Sequence, residues 1–285
     1  MTIEQRLERY KRAIERELER VLSRRNTLLF QAMRYSVLGG GKRYRPLLCL
    51  ATSDCFGAEP GPIMPFACAV ELIHNYSLIH DDLPCIDNDE VRRGRPTCHK
   101  AFGEDVALLA GDGLLTLAFE VMAGANVPRR LLAKKVQVIR ETAELAGVEG
   151  MIGGQLLDIT FSPENATEES LSEVMLKKTG ALIVAAVRAG ALLGGASPVK
   201  LRALTTFAEN IGLAFQVRDD IFDAAKKGKR TMPPNPNYAS VFGADKAEAR
   251  LDRCVKAGMS ALEKTSLKSP LLCHLAGQLL ARSVI

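Results

Sequence analysis

The sequence predicts an all-α protein: a single domain over residues 1–285, folded as an antiparallel helical bundle. Three observations carry this reading. Apolar residues make up 47% of the chain while Trp is absent, so the core is built from Leu, Ile, Val and Ala, which suit helix packing. Long stretches with apolar residues at helical spacing alternate with short connections, and no repeat of fixed period appears. No Pro/Gly/Ser-rich linker divides the chain, so its length reads as one large domain.

Leu7, Ile14, Leu18, Val21 and Leu22 recur with Glu and Arg between them, which predicts an amphipathic helix over 3–23. A second helix over 27–37 ends at Gly39-Gly40-Gly41, a run that cannot continue a helix cheaply. Lys42, Arg43 and Arg45 follow, and Pro46 opens an apolar helix through Cys55. The glycines let backbone approach a ligand closely, and the cations beside them suit phosphate. The run is not a P-loop, because Arg43 follows Lys42 where Ser or Thr is required.

Residues 65–82 are nearly continuously apolar and predict a central helix packed on most sides. His74 and Asp81 are seven apart and share one face of it. Helices are also predicted over 105–122 and 128–146, then a short one with Gln155 and Asp158 three apart on one face. A long helix over 171–193 carries Lys177, Lys178 and Thr179 in apolar surroundings, and Pro198 opens another through Asp223. Residues 224–243 read as an irregular, basic, Pro-rich segment, and helices over 245–262 and 270–281 close the chain.

The net charge of +5, from 38 basic and 33 acidic residues, gives a mild preference for anions and does not argue for nucleic acid. Seven cysteines without CxxC spacing read as free thiols in a reducing compartment. The charged N-terminus lacks the apolar centre of a secretory signal. The longest apolar run, Ala181 to Val187, is far shorter than the roughly 20 residues that span a bilayer. The expectation is a soluble, cytoplasmic protein.

Chemistry concentrates in two acidic clusters. Asp81, Asp82, Asp87 and Asp89 fall within nine residues and are followed by Arg92, Arg93 and Arg95. Asp219, Asp220 and Asp223 stand within an apolar helix, flanked by Phe215, Val217, Ile221 and Phe222. Together the clusters take seven of thirteen Asp residues. Carboxylates so close repel unless a cation lies among them, and all-oxygen ligands with room for water and phosphate select Mg²⁺. The alternative is a solvated acidic face, which is what most acidic runs are. Two basic groups nearby suggest two diphosphates, one bridged by metal and one held directly by cations.

DDLPCIDNDEVRRGRPT and FQVRDDIFD resemble the two aspartate-rich motifs of the trans-isoprenyl diphosphate synthases, in the form typical of bacterial farnesyl diphosphate synthases. GGGKRYRP, ELIHNYSLIHDD, LAGDGLL, GGQLLD and KKTGALI match further blocks of that family in order, from Gly39 to Asp223. The resemblance implies the isoprenoid synthase bundle with a central active-site cavity, a homodimer, and Mg²⁺ dependence with three ions per site, Mn²⁺ being the substitute. The implied reaction is head-to-tail condensation of isopentenyl diphosphate with dimethylallyl or geranyl diphosphate to give farnesyl diphosphate by ionisation, condensation and elimination.

Carried over by position, the resemblance makes Asp81, Asp82, Asp87, Asp219, Asp220 and Asp223 metal ligands. Arg92, Lys178 and Lys229 contact the allylic diphosphate, with Gln155 beside them and Asp158 orienting the cations. Lys42, Arg45, His74 and Arg93 hold isopentenyl diphosphate. Lys178, Thr179 and Gln216 stand near the carbocation, so that with Asp81 and Asp219 they form the catalytic set. Tyr76, five residues and about 7.5 Å of helix before Asp81, floors the channel in which the product grows, next to Ser77. The match departs after Asp223: the loop is shorter than in the family, has no acidic residue before Asp245, and carries Asn235 near the expected second Lys, while Gly228 and Lys229 supply a Gly-Lys. Readings kept beside the leading one are the same chemistry with a geranyl or geranylgeranyl product, and a non-catalytic subunit of a heteromeric synthase. A terpene cyclase would have no use for the second diphosphate site.

Overall fold

A computed structural model of the chain describes residues 1–162, 164, 166–227 and 237–281. Helices α1 (Ile3–Leu22), α2 (Leu28–Val37), α3 (Tyr44–Asp54) and α4 (Met64–Asp81) come first, then a hairpin of β1 (Val91–Arg92) and β2 (Arg95–Pro96). Next are α5 (Cys98–Phe102), α6 (Glu104–Gly124), α7 (Leu132–Ala146), α8 (Met151–Ile159) and α9 (Glu168–Met175). The chain continues through α10 (Ala181–Gly194), α11 (Pro198–Lys227), α12 (Tyr238–Phe242), α13 (Ala244–Glu263) and α14 (Pro270–Gly277). The all-α expectation holds; the hairpin is the only sheet among the described residues.

Helix starts follow local chemistry. Thr2 caps α1 by accepting from the Gln5 amide, and Gln5 returns the bond to the Thr2 backbone. Thr27 caps α2 through the Phe30 amide. One hydrophobic cluster runs from Leu7 to Leu279 and includes Ile14, Leu18, Phe66, Ile73, Phe207 and Ile211. α4 packs against α3 and α6, while α10 packs against α3, α7 and α11, so these helices form the interior of the bundle.

Several boundaries differ from the sequence reading. The helix expected over 171–193 begins at Glu168 and is broken by a π-helical turn, Leu176–Gly180, before α10. Such turns are common at functional sites because the extra residue re-aims side chains. Gly154 of α8 fits against this turn so closely that a Cβ would lie 2.2 Å from the Lys178 amide nitrogen. Gly154→Ala is therefore expected to destabilise the protein by about 1–3 kcal/mol in urea unfolding. An unchanged midpoint would show that α8 does not brace the turn.

α11 extends four residues past Asp223, and α14 gives way to a 3₁₀ turn over Gln278–Leu280. The acid-to-base segment, read as irregular, contains the short hairpin, with Arg93 at φ 54° and Gly94 at φ 74° turning it. All seven cysteines are free. α6 is long and apolar enough to cross a membrane by length and composition alone, although its longest uninterrupted apolar stretch is short. Its buried side packs against α4 and α2.

Candidate active site

The ends of α3, α4, α8, α11 and the π-turn surround a cavity of about 1170 Å³. α4 brings Glu71, His74, Tyr76, Ser77 and Asp81 to it, a spacing that winds along one side of the helix. α11 brings Phe215, Gln216, Asp219 and Asp223, and the π-turn brings Lys178 and Thr179. The glycine run delivers Lys42 and Arg45, the hairpin delivers Arg92 and Arg93, and α8 adds Gln155. The two acidic clusters thus open into one space, although they are far apart in sequence.

Asp81 and Asp219 carry the electrostatic strain of this space. Burial pushes Asp81 up from 3.8 to about 6, opposed by Lys178 and reinforced by Asp87. Burial does the same to Asp219, which also rises to about 6, opposed by Lys42 and reinforced by Asp223. A carboxyl raised in the folded state favours folding when protonated, and that contribution is lost as pH rises through the folded value. The double variant Asp81→Asn/Asp219→Asn is therefore expected to melt above the wild type at pH 7.5 in a chelating buffer, with the gap closing towards pH 5. A pH-independent gap in calorimetry would exclude these carboxyls as its source.

Lys178 donates to Asp158 Oδ2 at 2.6 Å. Burial works against its charge, but Asp158, Asp81 and Asp87 outweigh that and hold its pKa above 10.5. Thr179 donates to Gln216 Oε1 at 2.6 Å, and Gln216 Nε2 donates to Asp220 Oδ1 at 2.9 Å. Asp220 also accepts from the Tyr238 backbone N–H at 2.9 Å, where the chain returns into α12. On the opposite wall, burial and the arginines around it push His74 well below 6.5, so it is neutral at pH 7. Arg45 is 7% exposed, its Nε has no hydrogen-bond partner among the described residues, and its guanidinium lies 5.7 Å from the Phe215 ring. Gln155 Nε2 is likewise buried without a partner among them.

Four sequence expectations need adjustment. Asp82 is not on the cavity wall: both Arg92 Nε, at 2.7 Å, and Nη2, at 2.6 Å, meet its Oδ1. Asp220 is also set back, with both carboxylate oxygens occupied by Gln216 and Tyr238. These two aspartates hold side chains and backbone in place, whereas Asp81, Asp219 and Asp223 face the cavity. Asp87 lies in the turn after α4, its amide bonded to the Asp81 carbonyl. Arg43, grouped by sequence with the phosphate-binding cations, lines the cavity with them but is 1% exposed and held by Glu15 and Glu71. Lys229 and Asn235 lie outside the described residues.

Among the described residues no three His, Cys, Asp or Glu side chains converge as a ready-made metal cluster. The donor set nonetheless fits a hard divalent cation: it is all oxygen, acidic, and raised in pKa by burial foremost and by neighbouring aspartates, a cost that a cation would relieve. Sequence reasoning missed Glu71, three residues before His74 and therefore on the same face. It also missed the apolar wall of α8, where Ile152, Leu156 and Ile159 recur at i, i+4 and i+7.

The family model described as polyprenyl synthetase matches residues 26–234. Farnesyl diphosphate synthase of Geobacillus stearothermophilus is 46% identical over 225 residues, covering 78% of this chain and 76% of that one. Large subunit 1 of the chloroplastic heterodimeric geranylgeranyl pyrophosphate synthase of Arabidopsis thaliana is 46% identical over 233 residues, covering 77% of this chain and 62% of the plant protein. A solved geranyltransferase structure from Legionella pneumophila superposes with a TM-score of 0.88 at 35% identity, covering 99% and 98% of the two chains.

Proposed function

The chain belongs to the polyprenyl synthetase family, and from that premise we propose that it is a Mg²⁺-dependent trans-prenyltransferase that makes farnesyl diphosphate from isopentenyl diphosphate and dimethylallyl or geranyl diphosphate. One observation carries the reading: a single cavity is acidic at Asp81, Asp219 and Asp223, with Lys178 beside Asp81, and basic at Lys42, Arg45 and Arg93. Such a space suits two diphosphates bound in different ways.

In this reading Asp81, Asp87, Asp219 and Asp223 would hold three Mg²⁺ ions, for which Mn²⁺ would substitute, while Asp82 and Asp220 brace Arg92 and Gln216. When bound, such ions would supply charge neutralisation for the departing diphosphate. Lys178, fixed by Asp158, and Arg92 hold that diphosphate as the allylic C–O bond ionises. Thr179 and Gln216 turn their oxygen dipoles towards the carbocation, which stabilises positive charge where it develops. Lys42, Arg45, Arg93 and neutral His74 orient isopentenyl diphosphate so that its double bond attacks the allylic carbon, and the released diphosphate takes the proton. Tyr76 and Ser77 bound the channel at farnesyl length.

A geranylgeranyl product is the second reading, because synthases of that name are as similar to this chain as the farnesyl enzyme. The deciding assay mixes the protein, Mg²⁺ and isopentenyl diphosphate with dimethylallyl, geranyl or farnesyl diphosphate in turn and reads product length by mass. Farnesyl diphosphate accumulating from the first two, with farnesyl diphosphate itself a poor acceptor, supports the proposal. Efficient extension of farnesyl diphosphate supports the geranylgeranyl reading, and no condensation with any acceptor rejects both. The proposal also places the enzyme in the cytoplasm as a homodimer. Support for the dimer comes from exposed leucines on two helices in contact: Leu108, 47% exposed, and Leu109, 57% exposed, on α6, and Leu28, 55% exposed, on α2.

A further inference from the structure

Arg43 lines the cavity between Lys42 and Arg45, yet it is only 1% exposed and its charge is taken up by the Glu15 and Glu71 carboxylates. It caps α3 in the left-handed conformation, φ 53°, which an unbranched side chain adopts only at some cost. The guanidinium joins three elements. Nε and Nη2 donate to the two Glu15 carboxylate oxygens of α1 at 2.8 and 3.1 Å, Nη1 donates to Glu71 Oε1 of α4 at 2.8 Å, and Nη2 also donates to the Val37 carbonyl at 2.7 Å. Gly41 makes room for it: a Cβ there would lie 3.2 Å from Arg43 Nη1 and 3.1 Å from Arg93 Nη2.

Glu71 is the unusual member of this group. It is 2% exposed, it lines the same cavity as Arg45 and Arg93, and a buried carboxylate takes whichever cation it can reach. Its charge is felt by both arginines, in each case second only to burial. Neither of them makes a salt bridge to any described carboxylate. Asn75 Nδ2, at 3.3 Å from Glu71 Oε1, adds a second donor to the carboxylate already held by Arg43.

We propose that Arg43 is a positioning residue that occupies Glu71 and so keeps Arg45 and Arg93 directed into the cavity for an anionic ligand. Without its charge, Glu71 captures one of them and withdraws that cation from the wall that must receive a diphosphate. The inference rests on the assignment of that wall to isopentenyl diphosphate.

The test is calorimetric titration of the full chain with isopentenyl diphosphate in a chelating buffer, where the metal-dependent site is silent. Arg43→Gln is expected to weaken binding about tenfold or more, and Glu71→Gln to change it little. The double variant Arg43→Gln/Glu71→Gln is expected to recover most of the loss, which a purely structural role of Arg43 would not allow. Arg43→Lys, which keeps the charge, is expected to bind within a few-fold of the wild type, and it serves as the readout if Arg43→Gln does not fold. Wild-type binding by Arg43→Gln, a double variant no better than the single one, or Arg43→Lys binding as weakly as Arg43→Gln overturns the proposal. Lys42→Ala and Arg45→Ala are measured alongside. If they weaken binding while the Arg43 set does not behave as stated, the wall is correctly assigned and only the role of Arg43 fails. If they too bind like the wild type, the assignment of the wall fails first.

Discussion

Asp81→Asn and Asp219→Asn are each expected to lower kcat by on the order of 10²–10³-fold, while the affinity for isopentenyl diphosphate in chelating buffer stays within a few-fold. Both carboxyls face the cavity, and both are held near pKa 6 by burial and neighbouring aspartates. Asn keeps the shape and removes the charge that a divalent cation requires. The fold should therefore survive or gain stability, so a fall in kcat reports lost charge and not unfolding. Asp82→Asn is a useful contrast: its carboxylate meets Arg92 and not the cavity, so its effect should appear in the KM of the allylic substrate. Steady-state kinetics over a Mg²⁺ series separates these cases. Equal kcat losses at all three positions would place Asp82 among the direct ligands, and near wild-type turnover of Asp219→Asn would reject the metal assignment for the second cluster.

Tyr76→Ala is expected to lengthen the product by at least one five-carbon unit. The Tyr76 ring is 6% exposed, borders the cavity, and stands edge-on to His80, their centroids 5.5 Å apart. Burial foremost, with Asp81 and Asp112, raises its hydroxyl to about 12, so the ring is neutral and bulky where it borders the cavity. Removing it leaves a void lined by α4 and α6 side chains. Because one side of the ring already borders open space, the stability cost should fall below the roughly 3–5 kcal/mol of a fully enclosed aromatic. The readout is product mass with geranyl diphosphate as acceptor. An unchanged length with retained activity would move the floor elsewhere, with the apolar stripe of α8 the next place to substitute.

The fold class was legible because helical periodicity is a local property: the apolar spacing in α1, α4 and α11 can be read within a few turns of each helix. The candidate site was legible for a different reason. Seven of thirteen aspartates gather in two short stretches, and charge that dense in apolar surroundings requires a counter-ion. What the sequence could not determine is where each charged side chain turns. Arg43 and Lys42 are neighbours with the same charge and both border the cavity, yet Arg43 is buried and tied to Glu15 and Glu71 while Lys42 is exposed. Asp81 and Asp82 are likewise adjacent, and a single step along the helix, about 100° of rotation, sends Asp82 to Arg92 instead. The π-turn under Lys178 and the close fit of Gly154 against it depend on α8 approaching from another part of the chain. Local pattern determined which residues carry the charge, while packing between distant helices decided which of those charges reach a ligand and which hold the others in place.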